Sequence, residues 1–219
     1  MVSPKPLILI PIKDFSSTKT RLRAAFPSQQ KQLIESLVEA SFFHLIGIIN
    51  TLSHPFGIVS PSMPIINRSK QLGATFTFQD SGTDLNKALS GAIKSIRQKK
   101  PILIVMPDLP FITQEFLYSL LFRISNEDVI IIPSISGDQS AGTAILYLKH
   151  PNLLTFQFGE NSNLKFQKEA ENLGLKYHVI HSDPFARDLD TLDDVKYLKQ
   201  HIRMVYEPDR FEELLGFIS

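Results

Sequence analysis

The chain has 219 residues, of which 43% are hydrophobic and 21% are charged, and its formal net charge is +1. This balance is typical of a globular domain and gives no bulk reason to expect nucleic acid or a membrane surface as a partner. The absence of cysteine excludes disulfides, thiolate metal sites and thiol nucleophiles, and because no apolar stretch approaches the roughly 20 residues of a membrane span, we expect a soluble cytoplasmic protein.

Short apolar runs alternate with longer segments of helical periodicity along the chain. The runs that predict strands lie at residues 7–12, 56–59, 75–78, 102–106, 129–133, 143–148 and 176–180. The segments that predict helices are 29–49 behind a cap at Ser28, 85–100, a helix through about 124 behind a cap at Thr113, 163–174, 195–202 behind a capping box at 191–194, and 208–217. The last of these is expected to be a surface lid or a packing element. This alternation predicts a mostly parallel mixed sheet with helices on both faces, in a single domain over residues 1–219.

Sheets of this kind bind ligands at the carboxyl ends of their strands, so the residues that follow each strand are the candidates for function. The first strand is followed by "PIKDFSSTKTRL", residues 11–22, where Lys13, Lys19 and Arg21 lie among small hydroxyl residues. Three cations with hydrogen-bond donors suit a triphosphate. The stretch lacks the glycine spacing of a P-loop or a dinucleotide fingerprint, and a solvated loop with scattered charges is the alternative.

Acidic residues follow two other strands. Asp108 ends the buried run 102–106 and stands between two prolines, and "RDLDTLDD", residues 187–194, offers Asp188 and Asp190 between a strand and a helix. Hard cations such as Mg²⁺ are held by one or two carboxylates together with substrate phosphates. The sequence therefore predicts a divided metal site, with ordinary turn acids as the alternative.

The remaining loops carry weaker signals. Ser60 follows the second strand, Asp84 can cap the helix that starts at residue 85, and Asn86 then lies in its first turn, facing the crevice. Thr143, Gly159 and Ser162 could form a cradle for a small anion, since helix N-termini bind phosphate and carboxylate groups. Plain turn chemistry explains each of these residues equally well when it is taken alone.

Taken together, these segments resemble the 2-phospho-L-lactate guanylyltransferase family over nearly the whole chain. The matching stretches occur in the family's order and spacing: "IPIKDFSSTKTRL", "VSPS", "DLNKAL", "ILIVMPDLP", "GTAIL", "FGENS" and "RDLDTLDDV". The resemblance implies a nucleoside-diphosphate-sugar-transferase-like fold. It also implies Mg²⁺-dependent transfer of a guanylyl group from GTP to a small phosphorylated three-carbon acid, in the biosynthesis of coenzyme F-420.

The resemblance also implies a role for each candidate. Asp108, Asp188 and Asp190 would hold the metal, and Thr143, Gly159 and Ser162 would hold the phosphorylated acid. The GTP site would comprise Pro11, Lys13, Lys19, Arg21, Ser60, Asp84 and Asn86. Lys19, Arg21 and Asp108 would be the catalytic residues, because the transfer depends on positioning and charge neutralisation.

The chain departs from the family pattern near the predicted acceptor pocket. The family usually has Asn where this chain has Ala144, and an aromatic residue and a His where it has Asn163 and Phe166. The smaller Ala144 could make room for 3-phosphoglycerate. The expected acceptor is still 2-phospho-L-lactate, the family's usual substrate, with phosphoenolpyruvate and 3-phosphoglycerate as alternatives.

Three other readings of the sequence stay open. They are a related nucleotidyltransferase acting on molybdopterin or a sugar phosphate, an Asp-x-Asp glycosyltransferase, and a non-catalytic nucleotide-binding module. The oligomeric state stays open between a monomer and a homodimer.

Overall fold

A computed structural model describes residues 5–17, 19–24, 26, 31–82, 84–96, 100–124, 127–136, 142–205 and 208–216. Its strands are β1 Leu7–Pro11, β2 Phe56–Ser60, β3 Phe76–Gln79, β4 Ile102–Val105, β5 Val129–Pro133, β6 Thr143–Leu148 and β7 Tyr177–Val179. Its α-helices are α1 Thr20–Ala24, α2 Lys31–Thr51, α3 Met63–Gln71, α4 Leu85–Ser95, α5 Gln114–Arg123, α6 Ser162–Asn172, α7 Leu192–Gln200 and α8 Asp209–Gly216.

The strands form one seven-stranded sheet in the order β3-β2-β1-β4-β6-β5-β7. Strand β6 runs antiparallel to β4 and β5, and the other pairings are parallel. The prediction of a mostly parallel mixed sheet is therefore confirmed. Because β6 is reversed, its first residue, Thr143, lies at the same edge of the sheet as the carboxyl ends of β4 and β5.

The two faces of the sheet bury separate apolar cores. Ile8 and Ile10 of β1 face α2 and α5, whereas Leu9 between them faces α4 and α6, as the alternation of side chains along a strand requires. A third cluster joins α2 to the C-terminal helices: Phe211 and Leu215 of α8 are buried there. The last helix, which the sequence left as either a lid or a packing element, therefore contributes to the core.

Most predicted elements are present, with shifted ends. The caps at Asp84, Thr113 and Thr191 are confirmed, since each side chain accepts a hydrogen bond from the first turn of its helix. Helix α4 ends at Ser95 rather than at residue 100, and the proposed cap at Ser28 falls outside the described residues. Helix α3 was not predicted: its sequence, "MPIINRSKQ", is short and mostly polar, and its N-cap makes no side-chain hydrogen bond.

Helix α2 corrects the statement that no apolar stretch approaches the length of a membrane span. It has 21 residues and is apolar enough, by length and composition, to cross a membrane. Its buried side chains, including Leu37, Phe42 and Leu45, pack in two of the apolar clusters of the fold. Its composition is thus accounted for by burial against the sheet and the C-terminal helices.

Two glycines give a test of the packing. A Cβ added at Gly57 in β2 would lie 2.8 Å from a ring carbon of Phe76 in β3, whereas one added at Gly47 in α2 would meet nothing within 4 Å. Gly57→Ala should therefore destabilise the fold by about 1–3 kcal/mol through overpacking. Gly47→Ala should stabilise it by about 0.5–1 kcal/mol, because alanine loses less backbone entropy in a helix. Urea unfolding of both variants checks the pair, and equal effects would contradict the packing described between β2 and β3.

Candidate active site

A crevice of about 470 Å³ opens at the carboxyl ends of β1, β2, β3 and β4. Its walls include Pro11, Ile12 and Lys13 after β1, and Met106, Pro107 and Asp108 after β4. The volume lies within the range of small-molecule sites. A crevice of suitable size therefore lies where these strands end, which is where the sequence predicts the functional residues.

Lys19 lies at the base of this crevice in a backbone conformation that is uncommon for a side chain larger than glycine. Its φ is 54°, in the left-handed region, immediately before α1 begins. The ammonium group pairs with the carboxylates of Asp108 and Asp190, and only 13% of the side chain is exposed. Burial alone would lower the pKa of Lys19, but the charges of Asp108, Asp190 and Asp188 outweigh it and raise the pKa above its ordinary value. Lys19 is therefore a permanent cation in the crevice.

The three predicted metal ligands converge, although eighty residues of sequence separate Asp108 from Asp188. Asp108, Asp188 and Asp190 each offer a carboxylate oxygen, and these oxygens lie within 4.8 Å of one another. Burial raises the pKa of Asp188 to about 8, and the neighbouring Asp108 carboxylate adds to the shift while Lys19 opposes it. The Oδ1 atom of Asp188 is buried and has no hydrogen-bond partner among the residues that the structure describes.

This donor set fits a hard divalent cation. Oxygen atoms from two separate loops converge on one point, and a buried carboxylate oxygen without a partner costs free energy unless something binds it. Mg²⁺ prefers one or two carboxylates with substrate phosphates as its other ligands, and the open side of the crevice leaves room for such phosphates. The assignment of these three residues as metal ligands remains a prediction that their geometry supports.

The residues predicted to bind the nucleotide divide into two groups. Pro11, Lys13, Lys19 and Asp84 line the crevice. Ser60 does not: it is completely buried, and its hydroxyl accepts a hydrogen bond from the main chain of Ser62. Arg21 belongs to α1, but its side chain falls outside the described residues, so its contact with GTP stays a prediction.

Asn86 lies in the first turn of α4, as predicted, and its side chain has a specific partner. Its Nδ2 donates to the carbonyl of Phe158 at 3.2 Å, and its Oδ1 accepts from the amide of Phe158 at 2.7 Å. Both ends of the side-chain amide therefore hold the loop that leads to Ser162. Asn86 ties the helix beside the crevice to the predicted acceptor loop, and its predicted contact with the nucleotide is untested.

The three residues predicted to bind the acceptor meet where β6 begins and α6 begins. The hydroxyls of Thr143 and Ser162 lie 2.8 Å apart and both residues are buried. Gly159, with a φ of 124° that suits glycine, accepts a hydrogen bond through its carbonyl from the amide of Ser162. The cluster is compact. The hydroxyls of Thr143 and Ser162 that would bind an acceptor are hydrogen-bonded to each other in this state.

Two of the departures from the family pattern do not line the crevice. Ala144 is completely buried in the apolar cluster between the sheet and α2, and Phe166 is completely buried against Phe158 on the other face. Neighbouring residues of a strand point to opposite faces, so Ala144 points away from the side where Thr143 meets Ser162. The expectation that Ala144 makes room for a larger acceptor is therefore wrong. Asn163 is also buried.

Sequence reasoning missed three residues of the site region. Asp80 and Gly82 line the crevice after β3, and a bond from the amide of Gly82 to the carboxylate of Asp80 closes their turn. The sequence Asp-Ser-Gly is typical of a turn, but it does not indicate that the turn forms a wall of the crevice. Asp194 was recognised only as part of a helix cap, yet it is completely buried and contacts Asp190.

Comparison with known proteins gives a consistent picture of relatives. The chain is 30% identical over 190 residues to the 2-phospho-L-lactate guanylyltransferase of Methanocaldococcus vulcanius. The aligned region covers 86% of this chain and 82% of that protein. It is also 30% identical over 209 residues to the phosphoenolpyruvate guanylyltransferase of Chloroflexus aurantiacus, covering 93% of this chain and 98% of the relative.

Solved structures support the fold. A protein of Desulfovibrio desulfuricans G20, described as a nucleotide-diphospho-sugar transferase, superposes with a TM-score of 0.74 at 16% identity and covers 97% of each chain. The 4-diphosphocytidyl-2C-methyl-D-erythritol synthase of Anaerococcus prevotii superposes with a TM-score of 0.57 at 11% identity, covering 91% of this chain and 100% of the other. At these identities the likeness concerns the fold alone.

A family model described as "Guanylyl transferase CofC like" matches residues 6–209. That range contains β1 with its basic loop, the Asp108 turn, the predicted acceptor loops and the Asp188–Asp190 segment. The chain belongs to this family of CofC-like guanylyl transferases.

Proposed function

We propose that the protein is a guanylyltransferase that joins GMP from GTP to a three-carbon acid carrying a phosphate on carbon 2, with release of pyrophosphate. The proposed acceptor is 2-phospho-L-lactate, and the product would serve coenzyme F-420 biosynthesis. The observation that carries the proposal is the cluster of Asp108, Asp188 and Asp190 around Lys19 in the crevice of a family member. It is a centre of fixed charge built for a polyphosphate and a divalent cation.

The bonds that change in the reaction require little of the protein. An oxygen of the acceptor's phosphate forms a bond to the α-phosphorus of GTP, and the bond from that phosphorus to the bridging oxygen breaks, so that pyrophosphate carries away the electron pair. A phosphate monoester is largely ionised near neutral pH, so no side chain has to remove a proton. Catalysis then consists of alignment and of stabilising the charge that shifts to the leaving group.

The charged residues in and beside the crevice have distinct roles in this scheme. Asp108, Asp188 and Asp190 would hold Mg²⁺, which when bound neutralises phosphate charge and makes pyrophosphate a better leaving group. Lys19 keeps its proton and supplies a fixed positive charge beside them. Lys13, at the exposed lip of the crevice, would contact the outer phosphates, and Arg21 is proposed to join it. The walls formed by Val59, Leu85 and Ala88 would receive the nucleoside.

The acceptor is proposed to lie toward Thr143 and Ser162, where α6 begins and presents the positive end of its dipole. 2-Phospho-L-lactate and phosphoenolpyruvate share a phosphate on carbon 2 and differ mainly in planarity. The two acids name the two sets of relatives. Pyrophosphate release with GTP and each acid in turn, with 3-phosphoglycerate as a third acceptor, tests the proposal, and no release with any of them would contradict it.

Removing the charge of Asp108 should abolish most of this activity. Asp108→Asn keeps the shape of the side chain, so the rate of pyrophosphate release should fall by at least ~100-fold, as when one electrostatic stabiliser is lost. Asp128→Asn is the matched control, because Asp128 is paired with Lys149 on another part of the sheet. Near-wild-type turnover of Asp108→Asn would exclude Asp108 from the reaction.

Removing the charge of Asp188 should stabilise the metal-free protein in a pH-dependent way. The pKa of Asp188, raised to about 8, means that the folded protein retains a proton between about pH 4 and pH 8 that the unfolded chain has released. The stability of the wild type therefore falls with rising pH through this window. Asp188→Asn should raise the free energy of unfolding by on the order of 1–3 kcal/mol at pH 8, and by much less at pH 5.

Urea unfolding in the presence of a chelator measures this effect. Asp193→Asn, which changes an exposed carboxylate five residues away, is the control and should show little dependence on pH. If Asp188→Asn lowers the free energy of unfolding by the same amount at both pH values, Asp188 is not a buried charge without a partner.

The Thr143–Ser162 pair gives the test of the acceptor side. Ser162→Ala removes a buried hydroxyl at the first residue of α6, so the KM for the acceptor should rise while the KM for GTP stays within about twofold. Ser95→Ala removes a hydroxyl that bonds only within its own helix turn and should change neither value. If Ser162→Ala instead weakens GTP and spares the acceptor, the two halves of the site are reversed.

A further inference from the structure

Two ionic residues without a role in the scheme above are buried directly behind the Asp188–Asp190 segment. Asp194, in the first turn of α7, is completely buried, and Arg187 is only 7% exposed. A guanidinium nitrogen of Arg187 lies 3.6 Å from Oδ1 of Asp194, and the guanidinium stacks at 4.0 Å over the ring of Tyr197. Burying a charged pair costs desolvation free energy, and such a pair adds little net stability to a fold. Stability alone therefore does not explain why the pair lies beside the segment that carries Asp188 and Asp190.

Helix capping explains only part of what Asp194 does. Asp194 is the third residue of α7 and closes its capping box: its carboxylate accepts from the amide of Thr191 at 2.8 Å and from the Thr191 hydroxyl at 2.7 Å. The same oxygen, Oδ2, also accepts from the amide of Asp190 at 3.2 Å and from the hydroxyl of Ser136 at 2.9 Å. The last two bonds reach outside α7, to a predicted metal ligand and to the chain that continues from β5.

The segment that carries the two carboxylates is anchored at each of its three residues. The amide of Asp188 donates to the carbonyl of Ile135 at 3.1 Å, and Leu189 is buried in the cluster beneath α7 and α8. The third anchor is the bond from the amide of Asp190 to Asp194. Without this bond, the main chain of Asp190 would lose the described hydrogen bond that holds it just before α7. The side chain of Asp190 would still be paired with Lys19.

We propose that Asp194, neutralised by Arg187, is a positioning residue for the metal site: it fixes the main chain of Asp190 against Ser136, so that the carboxylates of Asp188 and Asp190 stay within reach of a common cation. The proposal rests on the proposed function, because it takes these carboxylates to be metal ligands. Residues that orient metal ligands through hydrogen bonds change metal affinity or activity by about 10–100-fold when they are replaced. Arg187 supplies the positive charge that permits a buried carboxylate in this place.

The test is direct binding of Mn²⁺ to the full chain by calorimetry, without nucleotide or acceptor, so that it does not depend on turnover. Asp194→Asn keeps the volume of the side chain and replaces one acceptor oxygen by a donor. It should weaken Mn²⁺ binding by about 10-fold or more. In assays, it should raise the Mg²⁺ concentration required for half-maximal rate and should change the KM for the acceptor little.

The matched control is Thr113→Ala. Thr113 caps α5 by accepting a hydrogen bond from the amide of Phe116, and none of its hydrogen bonds described here reaches the crevice. Urea unfolding should show that this variant loses stability as a capping variant does, while its affinity for Mn²⁺ stays within about twofold of the wild type. The comparison separates loss of a helix cap from loss of ligand positioning.

Each outcome decides the matter. Asp194→Asn with lowered stability but unchanged Mn²⁺ affinity would overturn the inference and leave the proposed function intact, since Asp194 would then be only a helix cap. If Asp194→Asn does not fold, Ser136→Ala, which removes one donor to the same oxygen, should weaken Mn²⁺ binding at least threefold, and unchanged affinity would overturn the inference. Failure of the wild type to bind Mn²⁺ would overturn both the metal assignment and the inference.

Discussion

The ion cluster formed by Lys19 with three aspartates is the constraint on which the crevice depends. Three carboxylate oxygens held within 4.8 Å repel one another, and a single ammonium group cannot balance three negative charges. The excess shows in Asp188, whose pKa is raised to about 8 by burial and by its acidic neighbour. The fold holds these groups together at a cost in stability. A divalent cation with the phosphates of a nucleotide would reverse that cost, and we regard this as the reason for the arrangement.

Several parts of the fold share the work of holding the cluster. Strand β4 brings Asp108 to the carboxyl edge of the sheet, and the left-handed conformation of Lys19 turns its side chain into the same space before α1 begins. The segment with Asp188 and Asp190 arrives from the far end of the chain, beside an extension of β5 at Ile135. The reversed strand β6 then brings Thr143 to the same edge. The predicted phosphate, metal and acceptor groups therefore lie at one edge of the sheet although they are distant in sequence.

The sequence alone was sufficient to predict the structural features that depend on a local pattern of residues. A buried apolar run followed by Asp108 between prolines indicated both a central strand and a candidate ligand, and Asp84, Thr113 and Thr191 could be read as caps because capping chemistry is local. The places of Asp108, Asp188 and Asp190 after predicted strands already indicated a divided metal site, and the family resemblance implied the same three residues as ligands. Helix α3 was missed because it carries few apolar residues and no side-chain cap.

What could not be predicted depends on which distant groups meet. The side chain of Asn86 was expected at the nucleotide but bonds to the main chain of Phe158, a partner 72 residues away. Ala144 was expected near the acceptor but belongs to the core, because the direction of a strand side chain follows from the register of the sheet. The capping box was enough to explain an acidic residue at position 194, so the contact of Asp194 with Asp190 was not predicted.

The central claim is that Asp108 and the Asp188–Asp190 segment share one divalent cation with the phosphates of a guanine nucleotide. Crystals grown with Mn²⁺ and a non-hydrolysable GTP analogue, analysed by anomalous scattering, test it most directly. We expect a manganese peak bonded to an oxygen of Asp108, to an oxygen of Asp188 or Asp190, and to a phosphate of the analogue. A nucleotide bound in the crevice with no metal at these carboxylates, or with the metal bound elsewhere, would contradict it.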